Sequence, residues 1–421
     1  MSSFLKVSFF SACLTLFKML MGFVVAKVIA IYTGPSGMAL LGQFQSFVTG
    51  INGIINAPVG NGIVKYTAEH GNKGSDICSQ WWKPAIAFSF SFIILLSIIL
   101  LPLSGEISKL LLNSTDYRYL IIVTLLNLPF TAFGTLIMSI TNGQRNFKLY
   151  IIYGFISTLI ASAIMLLMLI KYGIVGALLS TSFQYGLIGI VLICLSYRKE
   201  WFYFKYFFQR FEKDKAKDIL AYISMALTSA ISLPLTLIVI RLILIKQTDI
   251  VTAGQWQAVW KISEAYIGIV TIALSTYFLP KLSSLKNLVE IKYEIKMVLK
   301  YILPFVICVA GLVYLLRDFI ISILFTTEFS SARDLFFVQL LGDIVKIISW
   351  IYAFTMLSSK ATRWYIGTEL FFCLSWILTS FILIHPYGAQ GVNIAYCLSY
   401  LIYFIVIFVN FDRIVQPSIR I

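Results

Sequence analysis

Between residues 5 and 411 the chain returns repeatedly to apolar runs of about twenty residues or more, parted by short polar turns. An α-helix needs ~20 apolar residues to cross a hydrocarbon layer of about 30 Å. Such runs commit the chain to bundled transmembrane helices, because a helix satisfies its own backbone hydrogen bonds where no water can. Twelve spans are predicted, near 5–31, 38–64, 84–102, 118–141, 149–170, 174–195, 219–244, 255–279, 297–316, 334–357, 363–384 and 388–411. Turn signals separate neighbours, among them Thr33-Gly34-Pro35-Ser36-Gly37, Asn142-Gly143 and His385-Pro386-Tyr387-Gly388. With 59% hydrophobic residues, 12% charged residues and no long connection, the chain leaves no room for a soluble domain. The expected fold is an all-α polytopic membrane protein.

The first run resembles a signal peptide only in position. Lys18 interrupts it, no small-residue cleavage site follows, and it continues to about Ile31, so it reads as a retained helix. The six cysteines form no C-x-x-C pair, and all but Cys78 lie inside apolar runs, where they serve as small hydrophobes. With two distant histidines, His70 and His385, no metal site is expected.

The net charge is +15. Its distribution argues against a nucleic-acid partner, because the basic residues gather in turns between spans. If the N-terminus is inside, 22 of the 33 basic residues fall on inside segments, with seven between Arg198 and Lys217 alone. Outside segments hold Lys109, Arg118, Lys171, Lys246, Arg317 and Arg333. This asymmetry places both termini in the cytoplasm.

Residues 201–218, WFYFKYFFQRF followed by EKDKAKD, divide the chain into six-helix bundles at 1–200 and 219–421. Aromatic and basic residues together predict a short interfacial helix here, with a solvated loop as the plain alternative. The halves look like a repeat. Gly42-Gln43-Phe44-Gln45 opens the second span and Gly254-Gln255-Trp256-Gln257 opens the eighth. Six spans is an even number, so both halves insert the same way up and the pseudo-axis runs along the membrane normal.

Polar groups inside the spans are the candidates for function, since charge at that depth should face protein or water. On the tenth span Gln339, Asp343, Lys346 and Trp350 share one helical face, with Asp343 about 15 Å from a start near Arg333. The second span carries Asn52, Asn56, Pro58 and Asn61, read as a polar hinge and cavity wall or as a kink that only serves packing. Lys261 and Glu264 share a face of the eighth span, as cavity groups or as a structural ion pair. Lys18 is near mid-span, whereas Lys27 and Arg241 lie toward outer ends, where long cations often reach the headgroups. Glu369 lies nearer the cytoplasmic end of the eleventh span. The excess of basic groups favours an anionic substrate. No phosphate-cradling glycine loop, H-E-x-x-H or nucleophile elbow is present.

Four stretches carry a family resemblance: Gly34-Pro35-Ser36-Gly37; Asn61-Gly62-Ile63-Val64-Lys65-Tyr66; Trp256-Gln257 through Ser263-Glu264-Ala265-Tyr266 to Leu279-Pro280; and Arg333-Asp334-Leu335 through Gly342-Asp343-Ile344-Val345-Lys346. The chain resembles the Wzx-type flippases of lipid-linked oligosaccharides, within the exporter superfamily that includes lipid II flippases and MATE proteins. The resemblance implies two six-helix bundles around a central cavity opening alternately to either side. It implies an inner-membrane protein and a substrate of undecaprenyl pyrophosphate bearing a short sugar repeat of the O-antigen type. It also implies partners in the polymerase and chain-length regulator. On this reading Lys18, Lys27, Arg241 and Lys261 meet the substrate, and Glu264, Asp343 and Lys346 serve coupling or bundle locking. Near Lys261 and Glu264 the chain departs from its relatives, which carry an uncharged residue and Asp. No cofactor is expected, and H+ or Na+ coupling is left open. The alternatives are a membrane-embedded polymerase or glycosyltransferase, whose external loops would be longer than 103–117 and 317–333, and a drug exporter of the same fold.

Overall fold

A computed structural model describes residues 3–419 except 209–211, 286 and 360. Arg210, Lys286, Lys360 and Arg420, which enter the charge asymmetry, lie outside the described residues. Among the described residues there is no strand, and nine helices are long and apolar enough to cross a membrane. Two of the nine are double. Ser3–Asn56 breaks at Gly34, giving α1 (3–33) and α2 (35–56). Phe147–Ser196 breaks at Gly173, giving α5 (147–172) and α6 (174–196). Between these pairs run α3 (Ser75–Leu100) and α4 (Arg118–Gly143). The second half supplies α7 (Lys213–Gln247), α8 (Ile250–Ala273), α9 (Leu288–Leu315), α10 (Phe336–Ser358), α11 (Thr362–Tyr387) and α12 (Ala389–Val409). α8 has the length, at 24 residues, but carries Gln255, Gln257, Lys261 and Glu264 and is not among the nine.

The turns repeat between the halves in more detail than the sequence motif suggested. Tyr172-Gly173-x-x-Gly176 joins α5 to α6, and Tyr387-Gly388-x-x-Gly391 joins α11 to α12. Gly173 has φ 57°, ψ −139° and Gly388 has φ 55°, ψ −138°, a left-handed conformation that favours glycine. The second glycine of each pair lets the chain fold back on itself. A Cβ on Gly176 would strike the Met168 carbonyl, and one on Gly391 the Leu383 carbonyl. The α3–α4 and α9–α10 connections also correspond. Each is a short helix, Ser104–Leu112 or Arg317–Leu324, followed by a 3-10 turn.

The chain packs as two compact units, Met1–Tyr32 with Gln43–Pro234, and Thr33–Gly42 with Leu235–Ile421. In the first, Trp81, Trp82, Ile86, Ile121, Leu136 and Ile137 form part of a continuous apolar core. α4 and α6 approach closely, because a Cβ on Gly134 would come 2.7 Å from the Gly189 Cα. Among the described residues between α6 and α7, a 3-10 turn at Phe204–Tyr206 stands where a short interfacial helix was expected. The aromatic run has no single helical face, and it splits. Trp201, Tyr206 and Phe207 are buried, with Phe207 stacked on Trp82 at 6.2 Å, while Tyr203 and Phe204 face outward.

In the second unit the 33–42 segment lies against α8. A Cβ on Gly254 would collide with the Pro35 carbonyl, and one on Gly42 with the Gln257 side chain. The paired Gly-Gln motifs are therefore points of close helix approach. An aromatic column, Trp256–Trp260–Trp376–Tyr396–Tyr400, ties α8, α11 and α12 together, with successive ring centroids 4.9–5.7 Å apart.

Candidate functional site

Asp343 is fully buried in the second unit. Its carboxylate accepts hydrogen bonds from the hydroxyls of Ser263, Tyr266 (2.5 Å) and Tyr396 (2.9 Å), and from the Gln339 amide (3.2 Å). Those donors come from α8, α10 and α12, so one carboxylate clasps three helices. Burying a charge is unfavourable unless hydrogen bonds replace its water, and here four do. Gly342 makes room for the clasp, since a Cβ there would come within 2.8 Å of the Tyr396 ring.

Lys346, one turn further along α10, is 5% exposed. Its Nζ stands 4.7 Å from the Trp350 ring centre, 5.5 Å from Trp260, 5.6 Å from Tyr400 and 5.7 Å from Tyr396. These are cation–π distances. Among the described residues it makes no ion pair with Asp343 within 4.0 Å. The shared face expected from spacing is present, but hydroxyls and an amide meet Asp343 while ring faces meet Lys346, with Tyr396 serving both.

Ser263, Tyr266 and Tyr396 did not stand out in the sequence as site residues. Ser263 and Tyr266 are three apart on α8 and sit in the stretch that carried the family resemblance. Turning them toward Asp343 swings Glu264, one residue along, to an exposed position. Lys261 is half-buried, and among the described residues neither it nor Glu264 forms an ion pair.

Arg241 is fully buried rather than reaching toward headgroups. It donates to Gln257 at 2.7 Å and lies 5.7 Å from the Trp256 ring centre. Gln257 is the residue that Gly42 abuts, so the repeat motif and this cation belong to one cluster. Lys27 on α1 is half-buried and has a partner.

In the first unit the polar stretch of α2 is a true break. The helix ends at Asn56 and a new one opens at Asn61 with Gly60 as its N-cap. Pro58 lacks the N–H that would continue the ladder. The Ile55 carbonyl at the break is taken by the Ser89 hydroxyl of α3 at 2.8 Å. Asn52 is buried and donates to the Val48 carbonyl at 2.7 Å. Asn61 lines a cavity of about 280 Å³ with Asn142, Tyr150 and Tyr185. Lys18 lines an adjacent cavity of about 440 Å³ with Thr158, Ser162, Gln184 and Tyr185. The structure thus gathers Asp343, Lys346 and Arg241 around the α8 face of the second unit, and places Lys18 and Asn61 in the first.

Residues 4–286 match the family described as polysaccharide biosynthesis protein, a stretch covering most of the chain. The chain belongs to that family. Lipid III flippases of Escherichia coli (strain K12) and Shigella flexneri are each 29% identical to this chain over 405 residues, 96% of both chains. Among solved structures, an inward-facing MATE multidrug transporter of the MOP superfamily superposes with a TM-score of 0.76 at 14% identity, covering 96% of each chain. The lipid II flippase MurJ in an inward closed conformation gives 0.70 at 18% identity, covering 98% of this chain and 91% of that one. The fold of this family member is therefore that of the MOP superfamily, a polytopic all-helical membrane fold.

Proposed function

We propose that the protein is a flippase for lipid-linked oligosaccharides. It moves an undecaprenyl-pyrophosphate-linked repeat unit, of the O-antigen or a related surface polysaccharide, from the cytoplasmic to the periplasmic face of the inner membrane by alternating access. The observation that carries this reading is the end-to-end similarity to lipid III flippases over 96% of the chain. The MOP fold agrees with a transporter rather than an enzyme, and the polymerase and chain-length regulator are the partners this route requires. On this reading both termini lie in the cytoplasm, which the gathering of basic residues in one set of turns supports.

The cations divide by their surroundings. Arg241 and Lys346 are enclosed by protein partners and hold the second unit together. Among the described residues Lys18 and Lys261 have no hydrogen bond or ion pair, and they are the side chains left to meet an anionic head. Asp343 is a structural clasp that supports transport, and Glu264, turned away from it, is the open candidate for ion coupling.

The test is a deletion strain. It should accumulate single lipid-linked repeats confined to the inner leaflet, restored to the outer leaflet by the wild-type gene. Repeats reaching the periplasmic face without being joined would assign the protein to polymerisation, and no accumulation would remove the flippase reading.

A further inference from the structure

At its start α9 sorts its charges by face. Asn287 caps the helix by accepting from the Val289 amide at 3.0 Å. Lys292, Lys296 and Lys300 follow at steps of four, and Glu290 and Glu294 are also four apart. Such steps stack on a helix, so the lysines form one column and the acids another, about 120–160° round from Lys296. Like charges at this spacing repel, whereas opposite ones attract. Elsewhere exposed helical charges pair locally, Lys65 with Glu69 at 3.9 Å and Asp214 with Lys217 at 3.1 Å. The sorting on α9 is unfavourable by itself, and an outside anion on the lysine column would offset it.

Part of the sorted charge is met within the second unit. Glu294 accepts from the Tyr277 hydroxyl at 3.4 Å, and Lys292 pairs at 2.7 Å with Asp412 of the terminal helix Phe411–Ile419. Lys296 and Lys300 are exposed and make no hydrogen bond or ion pair among the described residues. Their depth follows from the sequence. Residues 301–316 carry no charge, and Arg317 closes the run. From Lys300 to Arg317 is about 25 Å of helix, against a hydrocarbon core of about 30 Å. Lys300 therefore stands at one edge of the hydrocarbon, and Lys296 about 6 Å beyond it, at headgroup depth. Tyr293 and Tyr301, 63% and 65% exposed, flank the column where interfacial aromatics are favoured. Past Lys300 the same face continues through Pro304 and Ile307, both exposed. The lysines run without a break into open apolar surface, and that combination selects a ligand with an anionic head and a hydrocarbon tail.

We propose that this face of α9 holds an anionic phospholipid of the surrounding leaflet, with its phosphate between the Lys296 and Lys300 ammonium groups and an acyl chain along Pro304 and Ile307. A zwitterionic phospholipid carries its own cation and gains less from the column. The face is exposed helix surface, which suits a compact headgroup; a bulky saccharide head needs walls around it. The inference rests on the membrane fold and not on what is transported.

The experiment uses the full chain in lipid nanodiscs, with Ile307→Cys labelled by bimane in a background without the native cysteines. The probes are brominated phosphatidylglycerol and brominated phosphatidylcholine, compared as quenchers at equal mole fraction. Phosphatidylglycerol should occupy the site in preference, by roughly fivefold for each lysine. Lys296→Gln with Lys300→Gln should abolish the preference, and the two Arg replacements should retain it. High salt should weaken it, because the charges are exposed. A label at Leu378→Cys, an exposed position on α11, should be quenched equally by both lipids. Equal quenching at Ile307→Cys, or a preference that survives in the folded double Gln variant, would overturn the proposal. So would relief of quenching by undecaprenyl pyrophosphate well beyond that from the same mole fraction of unlabelled phosphatidylglycerol, which would assign the face to a prenyl diphosphate instead.

Discussion

Asp343 and Lys346 look like a buried ion pair in sequence, and the structure changes what their removal tests. A self-contained pair can be replaced by two apolar residues at little expense in stability. Here Asp343→Leu with Lys346→Leu would leave the hydroxyls of Ser263, Tyr266 and Tyr396 without their acceptor. Each buried donor left unmade costs about 1–3 kcal/mol, so the double variant should be clearly destabilised, read as lost membrane abundance and a lower unfolding temperature. Tyr396→Phe removes one donor to a charged acceptor and should cost about 1.5–3 kcal/mol. Gly342→Ala should act in the same direction by pushing the Tyr396 ring away from Asp343. If Tyr396→Phe lowers thermal stability but leaves export per molecule intact, the clasp is structural. A loss of export at full stability would place Asp343 in the transport step.

At the scale of helices and turns, the same Gly-x-x-Gly device closes α5–α6 and α11–α12, and its two glycines fail differently when substituted. A Cβ on Gly388 meets nothing within 4 Å, so Gly388→Ala pays only for its left-handed backbone, about 1–3 kcal/mol. Gly391 has ordinary helical backbone, so Gly391→Ala must instead move the Leu383 carbonyl, and it should be the more damaging of the two in thermal unfolding of the purified protein. The α7–α8 turn uses an N-cap instead. The Thr252 amide and hydroxyl, with the Val251 amide, hold the Asp249 carboxyl below its ordinary value. A group whose folded pKa is depressed adds stability above its unfolded value, about 3.9 for Asp. That contribution fades as pH falls through the lower folded value. Asp249→Ala should therefore flatten the acid side of the stability profile and leave it parallel to wild type near neutrality.

For the whole molecule, the basic asymmetry makes a direct topological prediction. Reporter fusions at Gly74 and Lys215 should read cytoplasmic, and one at Asp116 periplasmic; a periplasmic reading at Lys215 would invert the arrangement. Local structure at that joint agrees with a membrane-surface position. Lys205 pairs with Asp76 at 3.6 Å and Lys215 stands 4.4 Å from the Trp81 ring centre, while Phe204 is left exposed. Aromatic and basic groups mixed in this way suit a headgroup layer.

The amino-acid sequence by itself determined the class of fold and roughly where its apolar helices run, although α3 begins at Ser75 and α9 at Leu288, ahead of the expected 84 and 297, and the expected 38–64 span is broken after Asn56. Those depend on local quantities: apolar length, glycine and proline turns, and where the cations cluster. It also marked Asp343, Lys346, Lys18 and the Pro58 break, because a charge or a missing N–H inside an apolar run is visible without tertiary structure. It could not determine which side chains meet. Rotation of α8 about its axis brings Ser263, rather than its neighbour Glu264, to Asp343. That rotation follows from packing of Trp256, Trp260 and Tyr396 across helices more than a hundred residues apart in sequence. Tertiary structure likewise enclosed Arg241 beside Gln257, surrounded Lys346 with rings, and left Lys18 exposed on the wall of a first-unit cavity. Helix periodicity fixes which residues share a face, but only the packed neighbours decide what that face meets.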